Sequence, residues 1–306
     1  MIRRPPRSTQ GVSSAASDVY KRQTISPEAG ASLRSIKVKK GDRHYELLSG
    51  GANNHNPTRL PPGEGSFVMA PWVNRIRDGK LVTPNGVHQI PLNAPPHAIH
   101  GLVRESKWQI DSITDLAIEM SINLSKPWPF KGHIKYSIYL QGRSLVQTMQ
   151  MFADNDENRA FPGGLGWHPW FNRSLGSDTM QVKAEVSDQW ELDQSSTATG
   201  NLVDSTFTNR LKNGVCLMPG DIDDCFLRLP NGKVTITWPE LKLEISGSDA
   251  ITHFMLYSPE HAICVEPQTS TVDAARLAEN GIARTGHVLV DREHPLIATT
   301  TWTWDE

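Results

Sequence analysis

The sequence predicts an all-β fold, a large antiparallel β-sandwich. Apolar and polar side chains alternate with a period of two through many short segments, and turn residues separate these segments. Helical periodicity is confined to one short stretch. A single open sheet would leave its apolar face in water, so the strands must pack against a second layer. We therefore expect two sheets that enclose a core.

Alternation is clearest in six segments, and each places apolar side chains at every second position. These segments are residues 116–124, 133–140, 145–152, 180–186, 233–238 and 241–246. Pro239 and Glu240 separate the last two, which predicts a hairpin. Only residues 271–280 have helical character, with Asn280 and Gly281 as the stop signal.

The N-terminal 23 residues differ in composition from the rest of the chain. They contain several basic residues and one acidic residue, Asp18. They lack both the apolar run of a secretory signal and the roughly 20 apolar residues of a membrane-spanning helix. We interpret residues 1–23 as a non-native or disordered tail. Residues 24–306 are expected to form a single domain, because no linker, repeat or composition break divides them.

The overall composition excludes several classes of partner. The chain has 306 residues, a formal net charge of −2 and 21% charged residues, so neither nucleic acid nor an anionic membrane is indicated. Its three cysteines show no CxxC spacing and are too few to staple a chain of this length. Free thiols in a reducing compartment, the cytoplasm, are the expectation.

The first candidate site lies in residues 69–79, MAPWVNRIRDG. Arg75 offers a planar fork of donors that suits hydroxyls or carboxylates. Trp72 is a candidate substrate-binding aromatic residue in the same stretch. The alternative interpretation is a strand-to-turn junction whose arginines lie in solvent.

Two histidines, His97 and His100, lie three residues apart in residues 95–108. On a helix this spacing would form a metal-binding pair, but the segment has no helical periodicity and begins with two prolines. His100 precedes Gly101, and a loop histidine that reaches into a cleft fits this context better.

A third histidine, His168, lies in residues 163–173, GGLGWHPWFNR. Glycines on its N-terminal side let a ligand approach the backbone, and flat rings such as Trp170 suit the apolar faces of a sugar. A lone buried histidine is usually structural. In this setting a proton donor facing a bound ligand is the competing interpretation.

Acidic residues interrupt two apolar segments. Glu266 directly follows four apolar residues in AICVEPQTS (262–270), and burial there would raise its pKa toward the range of a general base. The alternative is a strand-end glutamate in solvent. Asp223 and Asp224 precede an apolar run; turn aspartates usually cap, but one of the pair is a candidate to face inward.

Taken in order, five motifs resemble those of the aldose 1-epimerase (mutarotase) family, in its galactose-mutarotase-like branch. The motifs are NRIRDG (74–79), HG (100–101) followed by Trp108, HPWF (168–171), IDDCF (222–226) and VEP (265–267). The resemblance implies a β-supersandwich. It also implies that Glu266 is the catalytic base, His168 the acid and His100 a second active-site histidine.

By the same resemblance Arg75 and Asp223 are sugar-binding residues, and Asp223 is preferred to Asp224 because it directly follows the hydrophobic residue of the motif. The chain departs from the family pattern in two places. Leu102 stands where a second glycine is usual, and FMLY (254–257) replaces a glutamine-containing segment. These departures affect the expected substrate more than the chemistry.

The expected reaction interconverts the α and β anomers of a free aldohexose by acid/base ring opening and closure. It needs a small-molecule sugar and neither a metal nor a cofactor. One alternative is a hexose-6-phosphate mutarotase, for which Arg75, Arg77 and Arg104 are the candidate cations. Another is a non-catalytic carbohydrate-binding protein. The eleven histidines contain no HxH pair of the kind a metal-dependent barrel enzyme uses, and a glycosidase would need two facing carboxylates.

Overall fold

The structure, a computed structural model, describes residues 12–13, 21–51, 58–177 and 180–305. The strands of the first half are β1 (Val12–Ser13), β2 (Lys21–Ser26), β3 (Ser32–Lys40), β4 (Arg43–Glu46), β5 (Ser66–Met69), β6 (Arg75–Ile76), β7 (Lys80–Thr83), β8 (Gly86–Gln89), β9 (Ala98–Ile99), β10 (Gln109–Ile113), β11 (Ala117–Leu124), β12 (Gly132–Gln141) and β13 (Ser144–Ala153).

The remaining strands are β14 (Phe161–Gly163), β15 (Gly166–Asn172), β16 (Gln181–Ala184), β17 (Val186–Leu192), β18 (Ala198–Val203), β19 (Asp223–Arg228), β20 (Val234–Thr237), β21 (Lys242–Gly247), β22 (His253–Tyr257), β23 (Ala262–Gln268), β24 (Val288–Val290) and β25 (Leu296–Trp304). The helices are α1 (Thr206–Asn213) and α2 (Ala274–Glu279).

Two large antiparallel sheets form the molecule. The 11-stranded sheet has the order β1-β2-β3-β5-β15-β23-β22-β19-β17-β18, with β4 paired to β3. The 8-stranded sheet has the order β10-β11-β12-β13-β25-β21-β20-β16. Three two-stranded pairs, β14·β24, β6·β9 and β7·β8, complete the strand pairing of the described residues.

The core lies between the two sheets and follows the period-two pattern of the sequence. In β12, for example, Ile134 and Ile138 are buried while Lys135 is exposed. The rings of Phe171 in the larger sheet and Trp302 in the smaller one meet with centroids 5.0 Å apart. One hydrophobic cluster extends across both layers. The predicted all-β sandwich is therefore confirmed.

The six alternating segments all form strands, and β20 and β21 pair as the predicted hairpin. Helix α1 was missed by the sequence analysis: the Ser205 hydroxyl caps it by accepting the amide of Thr208, and Gly214 follows its last residue. The predicted helix at 271–280 is shorter than expected, since α2 begins only at Ala274. Of the described helices, none has the length and apolar character needed to cross a bilayer.

The N-terminal segment is described only in part. β2 begins at Lys21 and pairs with β3 over its whole length, and Val12–Ser13 pair with β2. Regular pairing thus includes residues 12–13 and 21–23 of the segment that we interpreted as a tail. The rest of that segment, residues 1–11 and 14–20, lies outside the described residues.

Candidate active site

His168 and Glu266 meet across two central strands of the larger sheet. The register pairs Gly166 with Gln268 and Trp170 with Cys264, which sets His168 on β15 opposite Glu266 on β23. His168 Nε2 lies 3.2 Å from Glu266 Oε1. His168 is 5% exposed and Glu266 is 2% exposed, so the pair is buried. The alternative interpretation of Glu266 as a solvent-exposed residue at a strand end is therefore wrong.

Strand β23 is buried on both faces, which explains why the sequence signal at Glu266 was strong. Ile263 and Val265 point into the core between the sheets. Because neighbouring side chains of a strand point in opposite directions, Cys264 and Glu266 share the other face. That face is buried as well, since Glu266 is only 2% exposed.

Aromatic rings enclose the His168 imidazole. Phe67, directly opposite on β5, stacks on it with centroids 4.6 Å apart, and Trp170 stacks with centroids 5.0 Å apart. The ring of His100 stands perpendicular to that of His168, with centroids 5.1 Å apart. The imidazole therefore has a fixed orientation, set by neighbours on both sides.

The loop that carries His100 is held in an unusual backbone conformation. His100 has a φ of 60°, and its amide donates to the carbonyl oxygen of Asn74 at 2.8 Å. Gly101 follows with a φ of 73°, and a Cβ there would lie 1.9 Å from the carbonyl oxygen of Ala70. Only glycine fits at this position, so the HG pair of the sequence has a structural cause.

An open depression of about 200 Å³ borders the histidine pair. Its walls include Phe67, His100, Arg104, His168, Trp170, and residues 59–63. Four buried polar atoms of the site have no hydrogen-bond partner within the described chain: His100 Nδ1, His168 Nδ1, Trp170 Nε1 and Glu266 Oε2. Since buried polar atoms are normally paired, this cluster indicates a place for a polar ligand.

Burial shifts the two central groups in opposite directions. Burial, and then the charge of Asp223, raise the pKa of Glu266 well above its usual value, while Arg75 opposes the shift. Burial, and then Arg104, lower the pKa of His168 to about 3. Burial also lowers the pKa of His100 well below its usual value, with further contributions from His168 and the nearby arginines.

These shifts change the expected charge distribution. The family resemblance implied an ionised Glu266 and a protonated His168, whereas burial favours a protonated carboxyl and a neutral imidazole. In both arrangements the pair holds a single proton. The difference arises because burial disfavours the charged form of each group.

Arg75 and Asp223 lie on the same side of the sheet as the pair. Asp223 is opposite Tyr257, which in turn is opposite Cys264, so Asp223 shares the face of Glu266. Asp223 reaches solvent, yet the surrounding protein raises its pKa and the charge of Arg75 opposes that rise. Asp224 points to the other face of β19, which supports the choice of Asp223.

Three other predicted residues lie elsewhere. The Trp72 ring is in the core and stacks on Trp128 with centroids 5.9 Å apart, so its assignment to the sugar-binding surface needs correction. Arg77 forms an ion pair with Asp193. His97 Nδ1 accepts the amide of Asp78 at 3.1 Å and is not paired with His100.

Sequence reasoning missed Phe67, Arg59 and Cys264 as members of the site. Cys264 had a signal, because it lies two residues before Glu266 and must share its face. Phe67 had none, since its place depends on which strand lies beside β15. Ligand atoms of His168, Cys264 and Glu266 all lie within 4.8 Å of one another, so these three are the described residues with the geometry to hold a metal ion.

The sequence profile of the aldose 1-epimerase family matches residues 21–288. This chain belongs to the aldose 1-epimerase family. It is 24% identical over 270 residues to YihR, an uncharacterized protein of Escherichia coli K12, and the match covers 79% of this chain and 85% of that protein.

Solved structures of similar proteins share the fold of this family member. The GalM/aldose epimerase homologue of Caenorhabditis elegans superposes with a TM-score of 0.80 and 17% identity, over 94% of this chain and 96% of that one. A galactose mutarotase-like protein of Clostridium acetobutylicum gives 0.78 and 19%, over 94% and 93%. The galactose 1-epimerase of Lactobacillus acidophilus gives 0.76 and 14%, over 95% and 93%. The fold is therefore galactose mutarotase-like.

Proposed function

We propose that the protein is an aldose 1-epimerase that interconverts the α and β anomers of an aldohexose. The observation that carries this proposal is the buried contact of 3.2 Å between His168 and Glu266, beside unpartnered polar atoms. An acid and a base in contact, both shielded from water, suit a reaction in which the substrate loses one proton and gains another.

Ring opening removes a proton from the anomeric hydroxyl and adds one to the ring oxygen, breaking the bond between C1 and that oxygen. One member of the pair accepts the first proton while the other donates the second, so the pair still holds one proton. After rotation about the C1–C2 bond, the reverse transfers close the ring as the other anomer. Because the roles exchange between opening and closing, either initial location of the proton supports the reaction.

Neighbouring residues have supporting roles in this proposal. A neutral His100 donates a hydrogen bond to the oxygen that becomes the aldehyde carbonyl without giving up its proton. Arg75 and Asp223 bind ring hydroxyls by charge-assisted hydrogen bonds, which hold the sugar in register with the pair. Trp170 lines the depression, and its indole N–H, which has no partner in the described chain, donates a hydrogen bond to a sugar hydroxyl.

Polarimetry tests the proposal directly. Purified protein should accelerate the relaxation of freshly dissolved α-glucose or α-galactose, and Glu266→Gln should reduce the acceleration by about 10²–10⁴-fold. A glutamine variant that relaxes the sugar as fast as wild type would rule out the carboxyl. Sugar binding in a calorimeter with no acceleration would instead identify a carbohydrate-binding protein.

A specific observation favours a second candidate, a mutarotase for hexose 6-phosphates. Arg104 and Arg59 both line the depression, and the Arg104 guanidinium lies 5.5 Å from the centroid of the Phe67 ring. Arginines suit a phosphate group, but Glu105 also lines the depression and lies 3.6 Å from Arg104, so a phosphate would compete with this carboxylate. Of the three cations that the sequence suggested, only Arg104 lines the depression. Arg77 is paired with Asp193, and the charge of Arg75 acts on Glu266. The ratio of kcat/KM for glucose 6-phosphate to that for glucose distinguishes the candidates.

A further inference from the structure

Cys264 is the buried residue of the site that the proposed chemistry does not use. It lies on β23 two residues from Glu266, and it is opposite Trp170 on β15 and Tyr257 on β22. Its side chain is fully buried, yet a ligand atom of Cys264 lies within 4.8 Å of one from His168 and one from Glu266. A thiol, an imidazole and a carboxyl therefore converge on one point.

This donor set matches one class of ion. Zinc takes sulfur, imidazole nitrogen and carboxylate oxygen in tetrahedral geometry, and sites with three protein ligands leave the fourth position open. Calcium and magnesium prefer oxygen ligands alone. Bonds of about 2.0–2.3 Å to zinc need ligand atoms within about 4 Å of one another, so on binding the atoms of this cluster must approach one another by up to about 1 Å.

Charge balance favours such an ion at this buried position. When zinc binds, the thiol proton and the carboxyl proton leave to solvent, and the resulting thiolate and carboxylate neutralise the two positive charges. Glu266 Oε2 and His168 Nδ1 have no hydrogen-bond partner in the described part of the chain. Both side chains can therefore form further bonds to a ligand or an ion. His168 lines the depression, which gives the ion a route in.

We propose that His168, Cys264 and Glu266 form a binding site for a thiophilic divalent cation, zinc in particular, which excludes the sugar by occupying the imidazole and the carboxyl. The inhibitory consequence rests on the proposed anomerase function, but the binding itself does not. Sequence inspection predicted no metal because the histidines form no local pair. The three ligands come from two strands whose pairing only the fold reveals.

Cobalt(II) is the probe for binding, because a cobalt–thiolate bond gives a charge-transfer band in the near ultraviolet that surface histidines do not produce. After treatment with a chelator, wild-type protein should show this band on addition of cobalt, and zinc should abolish it. Cys264→Ser should lack the band. Cys225→Ser is the matched control and should retain it, since Cys225 is equally buried but contacts Gln268 and Thr271 instead.

Kinetics give the second readout. Zinc should slow the polarimetric relaxation catalysed by wild type and Cys225→Ser, and Cys264→Ser should need at least about tenfold more zinc for the same fractional inhibition. Each variant is compared with its own metal-free rate. A cobalt band that survives in Cys264→Ser, or the absence of any band in wild type, would overturn the metal site while leaving the anomerase function standing. An inactive protein that still gives the cysteine-dependent band would overturn the function and leave the metal site.

Discussion

Two buried histidines of the larger sheet, His168 and His253, look alike by burial and differ in their hydrogen bonds. Burial lowers the pKa of each to about 3. His253 Nε2 accepts the indole N–H of Trp190 at 3.0 Å, and its Nδ1 lies 2.7 Å from the hydroxyl of Thr252. The Thr252 hydroxyl donates its hydrogen to the carbonyl oxygen of Thr269. It must therefore accept the Nδ1–H of His253.

His168 has no such set of partners. Its Nε2 meets the carboxyl of Glu266, and its Nδ1 has no partner within the described ranges. Burial and a lowered pKa are therefore common to both histidines and do not distinguish them. These two histidines differ in that the fold satisfies both ring nitrogens of His253 and, in the described chain, only one of His168. His253 has a protein partner for each ring nitrogen, whereas His168 Nδ1 remains available to a ligand.

The largest expected effect separates the two histidines by activity. His168→Gln should lower the anomerisation rate by about 10²–10⁴-fold, because it removes one member of the acid/base pair. His253→Gln should leave the rate within a few-fold of wild type. Polarimetric rates with circular dichroism as the folding control check this prediction. Equal losses in the two variants would contradict the comparison.

Stability should separate the same two residues in the reverse order. His253→Leu leaves the Trp190 N–H buried without an acceptor, which costs about 1–3 kcal/mol in free energy of unfolding. His168→Leu should cost less, because one of its ring nitrogens already lacks a partner in the described chain. Urea unfolding of both variants measures the difference. A larger loss for His168→Leu would show that the site is built for stability.

The pH dependence of stability tests the buried carboxyl. Because the folded pKa of Glu266 is raised, the unfolded chain loses this proton first, and the group destabilises the fold increasingly as pH rises above about 4.5. Glu266→Gln cannot ionise. The free energy of unfolding of Glu266→Gln minus that of wild type should therefore increase from pH 5 to pH 8, by at most about 1.4 kcal/mol per pH unit. Urea titrations at several pH values check this, and a constant difference would show that Glu266 is ionised in the fold.

The smallest expected effect concerns the wall of the depression. Arg104→Gln should reduce kcat/KM for glucose 6-phosphate by about tenfold if that arginine binds phosphate, which corresponds to about 1.4 kcal/mol. The value for glucose should change far less. Lys107→Gln is a suitable control, because Lys107 is a nearby surface cation paired with Glu28. Similar losses for both sugars would remove the phosphate interpretation.

The fold was predictable because its information is local. Alternation in the β12 and β13 segments reports directly which side chains face the core, and Pro239 with Glu240 marks a hairpin. Glu266 was also detectable, since a carboxyl after four apolar residues conflicts with its surroundings. Helix α1 escaped notice because a helix of two turns carries little periodicity, although Ser205 and Gly214 marked its ends.

The assembly of the site was less predictable because it depends on strand pairing. Phe67 reaches His168 only because β5 lies beside β15, and no spacing in the chain encodes that neighbour. Trp72 shows the converse. Its place in an aromatic, glycine-rich context suggested a sugar-binding surface, but its ring packs on Trp128, which is more than fifty positions away in the chain. The charge state also needed the structure, because burial of both partners sets it.

The strands that carry His168 and Glu266 have hydrogen-bonded neighbours on both sides: β15 lies between β5 and β23, and β23 lies between β15 and β22. Backbone amides that are paired within such interior strands should be among the slowest in the protein to exchange their hydrogens. On warming, the arrangement of His168 and Glu266 would then persist up to the melting transition and be lost with it.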